Sequence, residues 1–170
     1  MTRMTSDPRA KPDPTRPVPE AANLGVARPP LVYLGSIALG VILHFIGPIS
    51  LFPRGVSPYF GALLVLLAIL LFLFAVRTFR AAGTPVPGNR PTTTIVRTGP
   101  YRFSRNPIYL AFSLLQLGIA LWVNSLWLLL TLLAAVAVMS FVVIPREERY
   151  LEARFPSEYY RYKASVRRWL

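Results

Sequence analysis

At the centre of this 170-residue sequence stands Thr98-Gly99-Pro100-Tyr101-Arg102-Phe103-Ser104-Arg105-Asn106-Pro107-Ile108-Tyr109. This motif segment holds two arginines and three aromatic residues, and a long apolar block follows it directly. Asn106 and Pro107 predict the start of a helix, because Asn is a preferred capping residue and Pro at the first helical position needs no N–H partner. The free N–H groups of that helix start, together with Arg102 and Arg105, form a candidate site for a carboxylate or phosphate.

The same residues also fit a plainer interpretation. Arginines beside a membrane helix often reach lipid phosphates, and aromatic rings often lie at the membrane–water interface. The rings of Tyr101, Phe103 and Tyr109 are equally suited to face a purine or a sulfonium cation. The motif segment alone leaves both interpretations open.

The composition indicates an integral membrane protein. Hydrophobic residues make up 54% of the chain and are gathered in four blocks, at 31–52, 59–76, 108–123 and 126–144. Each block is close to the length that crosses a membrane as a helix, although the third is slightly short. Only Asn124 and Ser125 separate the last two blocks, which predicts an antiparallel helical hairpin. We therefore predict an all-α integral membrane protein with four transmembrane helices.

The basic residues predict the orientation of the chain. The sequence has 19 Lys and Arg against 7 Asp and Glu, concentrated before the first block, between the second and third, and after the fourth. The positive-inside rule then places both termini and the loop 77–107 in the cytoplasm. Because the charge does not form one soluble face, nucleic-acid binding is not predicted. The absence of Cys and the single His, His44, exclude thiolate chemistry and disfavour a metal cluster.

Two regions are predicted from the distribution of residue types. Residues 1–30 contain seven of the seventeen prolines and few bulky apolar side chains, which predicts a disordered cytoplasmic tail ahead of a membrane domain at 31–170. After the fourth block, 146–154 and 157–168 are predicted to form two surface helices, separated at Phe155-Pro156.

Glu147 and Glu148 are the first acids since Glu20 and directly follow the fourth block. Adjacent helical residues point about 100° apart, so we expect the two carboxylates to have different partners. Those partners are either the hydroxyl or ammonium groups of a ligand or the neighbouring arginines.

Two further motifs follow the motif segment. The first is Arg146-Glu147-Glu148-Arg149-Tyr150-Leu151, and the second is Phe155-Pro156-Ser157-Glu158-Tyr159-Tyr160-Arg161-Tyr162-Lys163, closing with Val166-Arg167-Arg168-Trp169. In this order and spacing the three motifs resemble the isoprenylcysteine carboxyl methyltransferase and phospholipid methyltransferase superfamily. The resemblance covers roughly residues 59–170.

The resemblance implies a small bacterial-type enzyme of the inner membrane that uses S-adenosylmethionine. Its lipophilic acceptor would be reached from the bilayer and modified by carboxyl O-methylation or amine N-methylation. The implied cofactor pocket lies on the cytoplasmic side, between the loop, the last two membrane helices and the C-terminal surface helices. The implied cofactor-binding residues are Tyr101, Arg105, Asn106, Pro107, Tyr109, Glu147 and Glu148, with Arg105 and Glu148 as candidate catalytic residues and no metal.

Asn106 departs from the family pattern, because many members have His at this position. An Asn side chain can hydrogen-bond a ligand or cap a helix, but it cannot titrate near neutral pH. The alternative hypothesis is a non-catalytic membrane protein that binds anionic lipid headgroups through its arginine-rich loop. A transporter or channel is disfavoured, since few polar residues besides His44 and Gln116 lie in the apolar blocks.

Overall fold

The computed structural model describes residues 28–52, 58–83 and 92–170, and all regular structure within these ranges is helical. The helices are α1 (Pro29–Ile46), α2 (Pro58–Ala81), α3 (Pro107–Trp122), α4 (Leu126–Val138), α5 (Ile144–Arg154) and α6 (Pro156–Ser165). A 3₁₀ turn covers Gly99–Arg102, and a π-helical turn, Met139–Val143, joins α4 to α5. The predicted all-helical architecture is confirmed. Residues 1–27 of the predicted N-terminal tail lie outside the described ranges.

Within the described ranges, three helices are long and apolar enough to cross a membrane: α1, α2 and the continuous helix Leu126–Arg154. Their exposed side chains include many large apolar ones, such as Phe45, Phe74 and Phe141. Lipid tails solvate such side chains, whereas a soluble domain rarely exposes them in long contiguous patches. α3 is also apolar but has only 16 residues.

The ends of the first two helices differ from the predicted blocks. α1 ends at Ile46 and not at residue 52, because the backbone leaves helical geometry at Gly47 and Pro48 has no N–H to continue the helix. α2 continues past the predicted end at residue 76 to Ala81. Both arginines in its last turns, Arg77 and Arg80, are exposed, so the helix extends beyond its apolar part without burying a charge.

The helix predicted at 146–154 is present as α5, but it is not separated from the fourth apolar block as the sequence suggested. The chain is helical from Leu126 to Arg154. Pro145 cannot donate a helical hydrogen bond, and its ring would collide with the preceding turn of a regular α-helix. The π-helical turn directly before it accommodates Pro145, since the Ile144 N–H bonds the Met139 carbonyl five residues back. Glu147 and Glu148 therefore lie on the extension of a membrane helix.

The last predicted helix is also shorter than expected. α6 ends at Ser165 and not at residue 168. Residues 166–170 are not helical and return to the motif segment, where the Arg167 carbonyl accepts the Arg105 N–H at 3.0 Å. The motif segment and the C-terminal segment therefore contact each other, while their predicted cytoplasmic location stays a prediction.

Close backbone contact holds α2 against α3. A Cβ added to Gly118 would lie 2.8 Å from the Val65 nitrogen and 3.0 Å from the Gly61 carbonyl oxygen. Ala68 and Ala75 continue this small-residue seam along α2, and both are almost completely buried. Small residues are typical of membrane helix interfaces, because helices in lipid associate through van der Waals packing. α1 packs mainly on α4 instead.

A buried polar network fixes α1, α3 and α4 relative to one another. Gln116 on α3 is fully buried, accepts a hydrogen bond from Ser36 Oγ at 2.7 Å and donates to Thr131 Oγ1 at 3.2 Å. The hydroxyls of Tyr33 and Ser113 bond each other at 2.8 Å. Polar groups at membrane depth need partners within the protein, and these helices supply them.

The predicted hairpin between α3 and α4 is confirmed. Asn124 adopts a φ of +53°, a left-handed conformation that Asn tolerates better than most residues. Its side-chain oxygen accepts the N–H groups of Leu51 and Phe52, each at 3.1 Å. The hairpin turn therefore also holds the chain that follows α1, at the end of the bundle away from the motif segment.

Candidate active site

The motif segment forms a tight turn against the end of α2. Gly99 has a φ of +57°, and a Cβ added there would lie 2.7 Å from Thr78 Oγ1, so this position requires glycine. The 3₁₀ turn that follows buries Tyr101, whose ring meets Phe79 edge-on with the centroids 4.8 Å apart. α3 then begins at Pro107, as the sequence predicts.

Asn106 occupies the cap position of α3, but its side chain makes no capping bond, so the predicted side-chain cap is wrong. Its Nδ2 group instead donates to the Arg168 carbonyl at 2.9 Å. The Asn106 backbone N–H bonds Ser104 Oγ at 3.1 Å. The amide turns away from the helix because the returning C-terminal segment offers it a carbonyl, a contact that no local sequence pattern reveals.

A cavity of about 330 Å³ lies between the motif segment, the first residues of α1, the end of α2, and helices α5 and α6. This volume is typical of pockets for small organic ligands. Every residue predicted to bind the cofactor lines it: Tyr101, Arg105, Asn106, Pro107, Tyr109, Glu147 and Glu148. The structure thus brings the predicted residues of the motif segment and the two acids, Glu147 and Glu148, together around one cavity. That these residues bind a cofactor stays a prediction.

Two chemically different groups of side chains line the cavity. Apolar side chains come from α2 and α3, namely Phe72, Val76, Phe79, Ile108 and Phe112. Charged and phenolic side chains come from the motif segment, α5 and α6, namely Arg105, Glu147, Glu148, Tyr150, Tyr159 and Tyr162. A ligand with both charged and apolar parts would complement this arrangement.

Glu147 and Glu148 are both buried and have different partners, as predicted from their adjacent positions. The Tyr109 hydroxyl donates to Glu147 Oε1 at 2.7 Å. Glu148 instead pairs with arginines on both of its oxygens, with Arg105 Nη1 at 2.9 Å and Arg168 Nη2 at 2.7 Å. The predicted alternatives for the two acids, ligand contact and arginine pairing, are therefore both compatible with this site.

Arg168 donates two parallel hydrogen bonds to Glu148. Its Nε donates to Glu148 Oε1 at 3.1 Å while Nη2 donates to Oε2. Such forked contacts are short, strong and directional. The hydrogen bond to Glu148 raises the pKa of Arg168 above its ordinary value. Sequence reasoning did not select Arg168 as a site residue, although it lies in the closing Val166-Arg167-Arg168-Trp169 motif.

Tyrosines on α6 are further site residues that sequence reasoning missed. The Tyr159 hydroxyl accepts a hydrogen bond from Arg105 Nη1 at 3.2 Å, and the Tyr162 hydroxyl donates to the Tyr101 carbonyl at 2.8 Å. Burial, reinforced by the nearby Glu148 and opposed by Arg105, raises the pKa of Tyr159 to about 12. Tyr159 and Tyr162 are three residues apart, which puts both rings on one face of a helix, and this spacing was the sequence pattern that could have identified them.

Two buried hydrogen-bond donors in the cavity wall have no partner among the described residues: the Tyr101 hydroxyl and Arg105 Nε. Burial, followed by the neighbouring Tyr162, raises the pKa of Tyr101, so its phenol stays protonated as a donor. Leaving such a group unbonded costs about 1–3 kcal/mol. Two unsatisfied donors beside one cavity are the arrangement expected where a ligand oxygen completes the hydrogen bonds.

Together, the apolar helices and their arrangement are those of a membrane protein, with a cavity of small-molecule size at one end of the helical bundle. The chain belongs to the phospholipid methyltransferase family, whose family model matches residues 56–158. That is a family of methyltransferases, which supports methyltransferase activity in general and a lipid-type substrate.

Similar proteins cover only parts of the chain. Over 63 residues it is 41% identical to an uncharacterized protein of Haemophilus influenzae, a stretch that is 37% of this chain and all of that protein. Over 67 residues it is 38% identical to the cobalt-zinc-cadmium resistance protein CzcN of Cupriavidus metallidurans. That second match covers 39% of this chain and 31% of CzcN, so the chain spans about a third of that relative's length. No solved structure matches.

Proposed function

We propose that this chain is an S-adenosylmethionine-dependent methyltransferase that acts on a lipophilic acceptor, by carboxyl O-methylation or amine N-methylation. One observation carries the proposal: the seven residues predicted to bind the cofactor line a single cavity, and two donors in its wall lack partners among the described residues. Family membership supports the methyltransferase class.

The residues of the cavity fit S-adenosylmethionine by their chemistry. The free donors of Tyr101 and Arg105 suit its carboxylate or hydroxyl oxygens, and the Glu147 carboxylate suits its ammonium or hydroxyl groups. Ring faces, including those of Tyr101 and Tyr109, suit its sulfonium or its purine. When bound, this cofactor supplies an electrophilic methyl group.

The chain itself contributes positioning and exclusion of water. Methyl transfer from a sulfonium is an in-line displacement, for which correct placement in a dry cavity provides much of the acceleration. A carboxylate acceptor would need no general base. An amine acceptor must be unprotonated, and Glu147 is better placed than Glu148 to receive its proton, because both oxygens of Glu148 are held by guanidinium groups. Glu148 and Arg105 are proposed to fix the charge pattern around the reacting groups.

The lipophilic part of the acceptor is proposed to occupy the apolar part of the cavity. α1 packs mainly on α4, and α2 packs mainly on α3. The first residues of α1, Pro29 and Pro30, and the last turns of α2 therefore line the cavity from two separately packed helices. This arrangement supports entry of the acceptor from the bilayer between α1 and α2.

Binding of S-adenosylhomocysteine to the detergent-purified full-length protein tests the proposal by isothermal titration calorimetry. We expect saturable binding that Arg105→Ala, Glu147→Ala and Glu148→Ala each weaken about tenfold or more, the size of one lost charged hydrogen bond. Arg102→Ala and Glu152→Ala are matched controls, because Arg102 is exposed and Glu152 pairs with Lys163 outside the cavity. Both should change the affinity about twofold at most.

Absence of saturable binding, or equal effects of the site and control substitutions, would contradict the proposal. It would favour the alternative of a non-catalytic protein that binds anionic lipids. If binding is observed, a screen of extracted lipids with labelled cofactor would identify the acceptor. The screen is needed because the apolar side chains of the cavity do not distinguish one lipophilic acceptor from another.

A further inference from the structure

The Arg168 guanidinium sits behind the cavity wall and is not part of its lining, whereas its partner Glu148 is part of it. The Glu148 side chain is only 8% exposed, against 35% for Arg168. Arg168 reaches the carboxylate from the outer side, while Arg105 reaches it from the cavity side with its Nη1 atom 2.9 Å from Glu148 Oε1. Glu148 is therefore shared between an arginine that lines the site and one that does not.

A third nitrogen of the same guanidinium fills a gap in the helix. Arg168 Nη1 donates to the Ser140 carbonyl at 3.3 Å, inside the π-helical turn. That carbonyl has no regular helical donor, because the Ile144 N–H bonds Met139 and Pro145 has no N–H. Arg168 thus links the distortion that places α5 to the acid that α5 carries into the cavity.

The backbone around Arg168 is fixed to the motif segment. The Arg168 carbonyl accepts hydrogen bonds from Asn106 Nδ2 at 2.9 Å and from Ser104 Oγ at 3.4 Å. The neighbouring Arg167 carbonyl accepts the Arg105 N–H. Arg105 is consequently held twice by the C-terminal segment, once through its backbone and once through the carboxylate that it shares with Arg168.

We infer that Arg168 is a positioning residue: it holds Glu148, and through Glu148 the Arg105 guanidinium, in the arrangement that receives the ligand. Asn106 acts with it, because its amide fixes the carbonyl of the same residue. This inference rests on the proposed function, since the ligand in question is the methyl donor. Residues 166–170 would therefore support the site from outside, since none of their side chains lines the cavity.

The test measures the affinity for S-adenosylhomocysteine of the full-length protein in detergent. Arg168→Ala should weaken binding about tenfold, since a displaced charged hydrogen bond is of that order. Arg168→Lys keeps the charge but cannot form the forked contact, so we expect a near-normal Tm together with weakened binding. Arg167→Ala is the matched control: its side chain is exposed, its carbonyl remains, and its affinity should be unchanged.

A double-mutant cycle separates positioning from a general structural role. If Arg168 acts through Glu148, Arg168→Ala should cost less than about threefold in affinity in a Glu148→Ala background. Full additivity of the two losses, or wild-type affinity in Arg168→Lys, would overturn the inference. If Arg168→Ala does not fold, the affinity of Arg168→Lys alone tests the inference. Absence of binding by the wild-type protein would overturn the proposed function and this inference with it, whereas binding that is insensitive to residue 168 overturns the inference alone.

Discussion

Tyr101 and Arg105 are the residues whose individual atoms point most directly to a ligand. The ring of Tyr101 packs on Phe79 and its carbonyl accepts from Tyr162, yet its buried hydroxyl has no partner within the described residues. A buried hydroxyl without a partner, on a residue that lines a cavity, calls for an explanation, and binding of a ligand is the one we propose.

Replacing Tyr101 by Phe should therefore separate stability from binding. We expect the Tm of Tyr101→Phe to equal or exceed that of the wild type, because an unbonded buried hydroxyl costs about 1–3 kcal/mol. The affinity for S-adenosylhomocysteine should fall. Tyr162→Phe is the matched control: its hydroxyl donates to the Tyr101 carbonyl, so this variant should lower the Tm in a thermal melt. A Tyr101→Phe variant as destabilised as Tyr162→Phe would show that the Tyr101 hydroxyl already has a partner.

At the scale of helices, the site depends on two departures from regular packing. The π-helical turn before Pro145 lets one helix continue from the apolar bundle to Glu147 and Glu148. The small-residue seam, from the glycine contact to Ala75, keeps α2 and α3 close along their length, and the end of α2 and the start of α3 both line the cavity. Both features position the cavity wall without touching a ligand.

The contact between α2 and α3 can be tested with one pair of glycine substitutions. Gly118→Ala should lower the free energy of unfolding by about 1–3 kcal/mol, because the new Cβ meets backbone atoms of α2. Gly35→Ala on α1 has no heavy atom within 4 Å of the added Cβ, so it should be neutral or stabilising by up to about 1 kcal/mol. Thermal or denaturant unfolding of both variants in detergent makes the comparison. Equal effects would mean that helix propensity and not interhelical contact decides the outcome.

At the scale of the whole molecule, the helices and the distribution of charge indicate how the protein lies in the membrane. We propose four spans: the three long apolar helices and the short helix α3, which is about 24 Å long at 1.5 Å per residue. The chain returns through the hairpin at Asn124, and the segments before α3 and after α6 contact each other. The concentration of arginine in these segments supports a cytoplasmic location for both. The proposed membrane is the bacterial inner membrane.

A reporter fused after Leu170 tests this topology. We expect a cytoplasmic signal in cells, and the same signal for a reporter inserted before α1. Fusion after Asn124, in the α3–α4 turn, is the internal control and should report the opposite side, because α3 would then have crossed the membrane. A cytoplasmic signal at Asn124 would limit the protein to spans that do not include α3.

Much of this protein could be predicted from local sequence. The apolar blocks indicated membrane helices because 54% hydrophobic residues in long runs cannot be buried by so short a soluble chain. Pro107 marked the start of α3, and Asn124-Ser125 marked the hairpin, because turn and cap preferences act over a few residues. The three motifs, read together, selected seven residues that share one cavity.

Only the tertiary structure decided how those residues interact. Local rules predicted that Asn106 caps α3, but a carbonyl from 62 positions further along the chain binds its amide. They ended the fourth helix near Pro145, but the π-helical turn continues it to Arg154. Arg168 was not predicted as a site residue for the same reason: its contacts are with Glu148 and Ser140, which are 20 and 28 residues away in the sequence. Sequence patterns determine helices and turns through neighbouring residues, whereas charge pairs and shared carbonyls form only once distant segments have packed together.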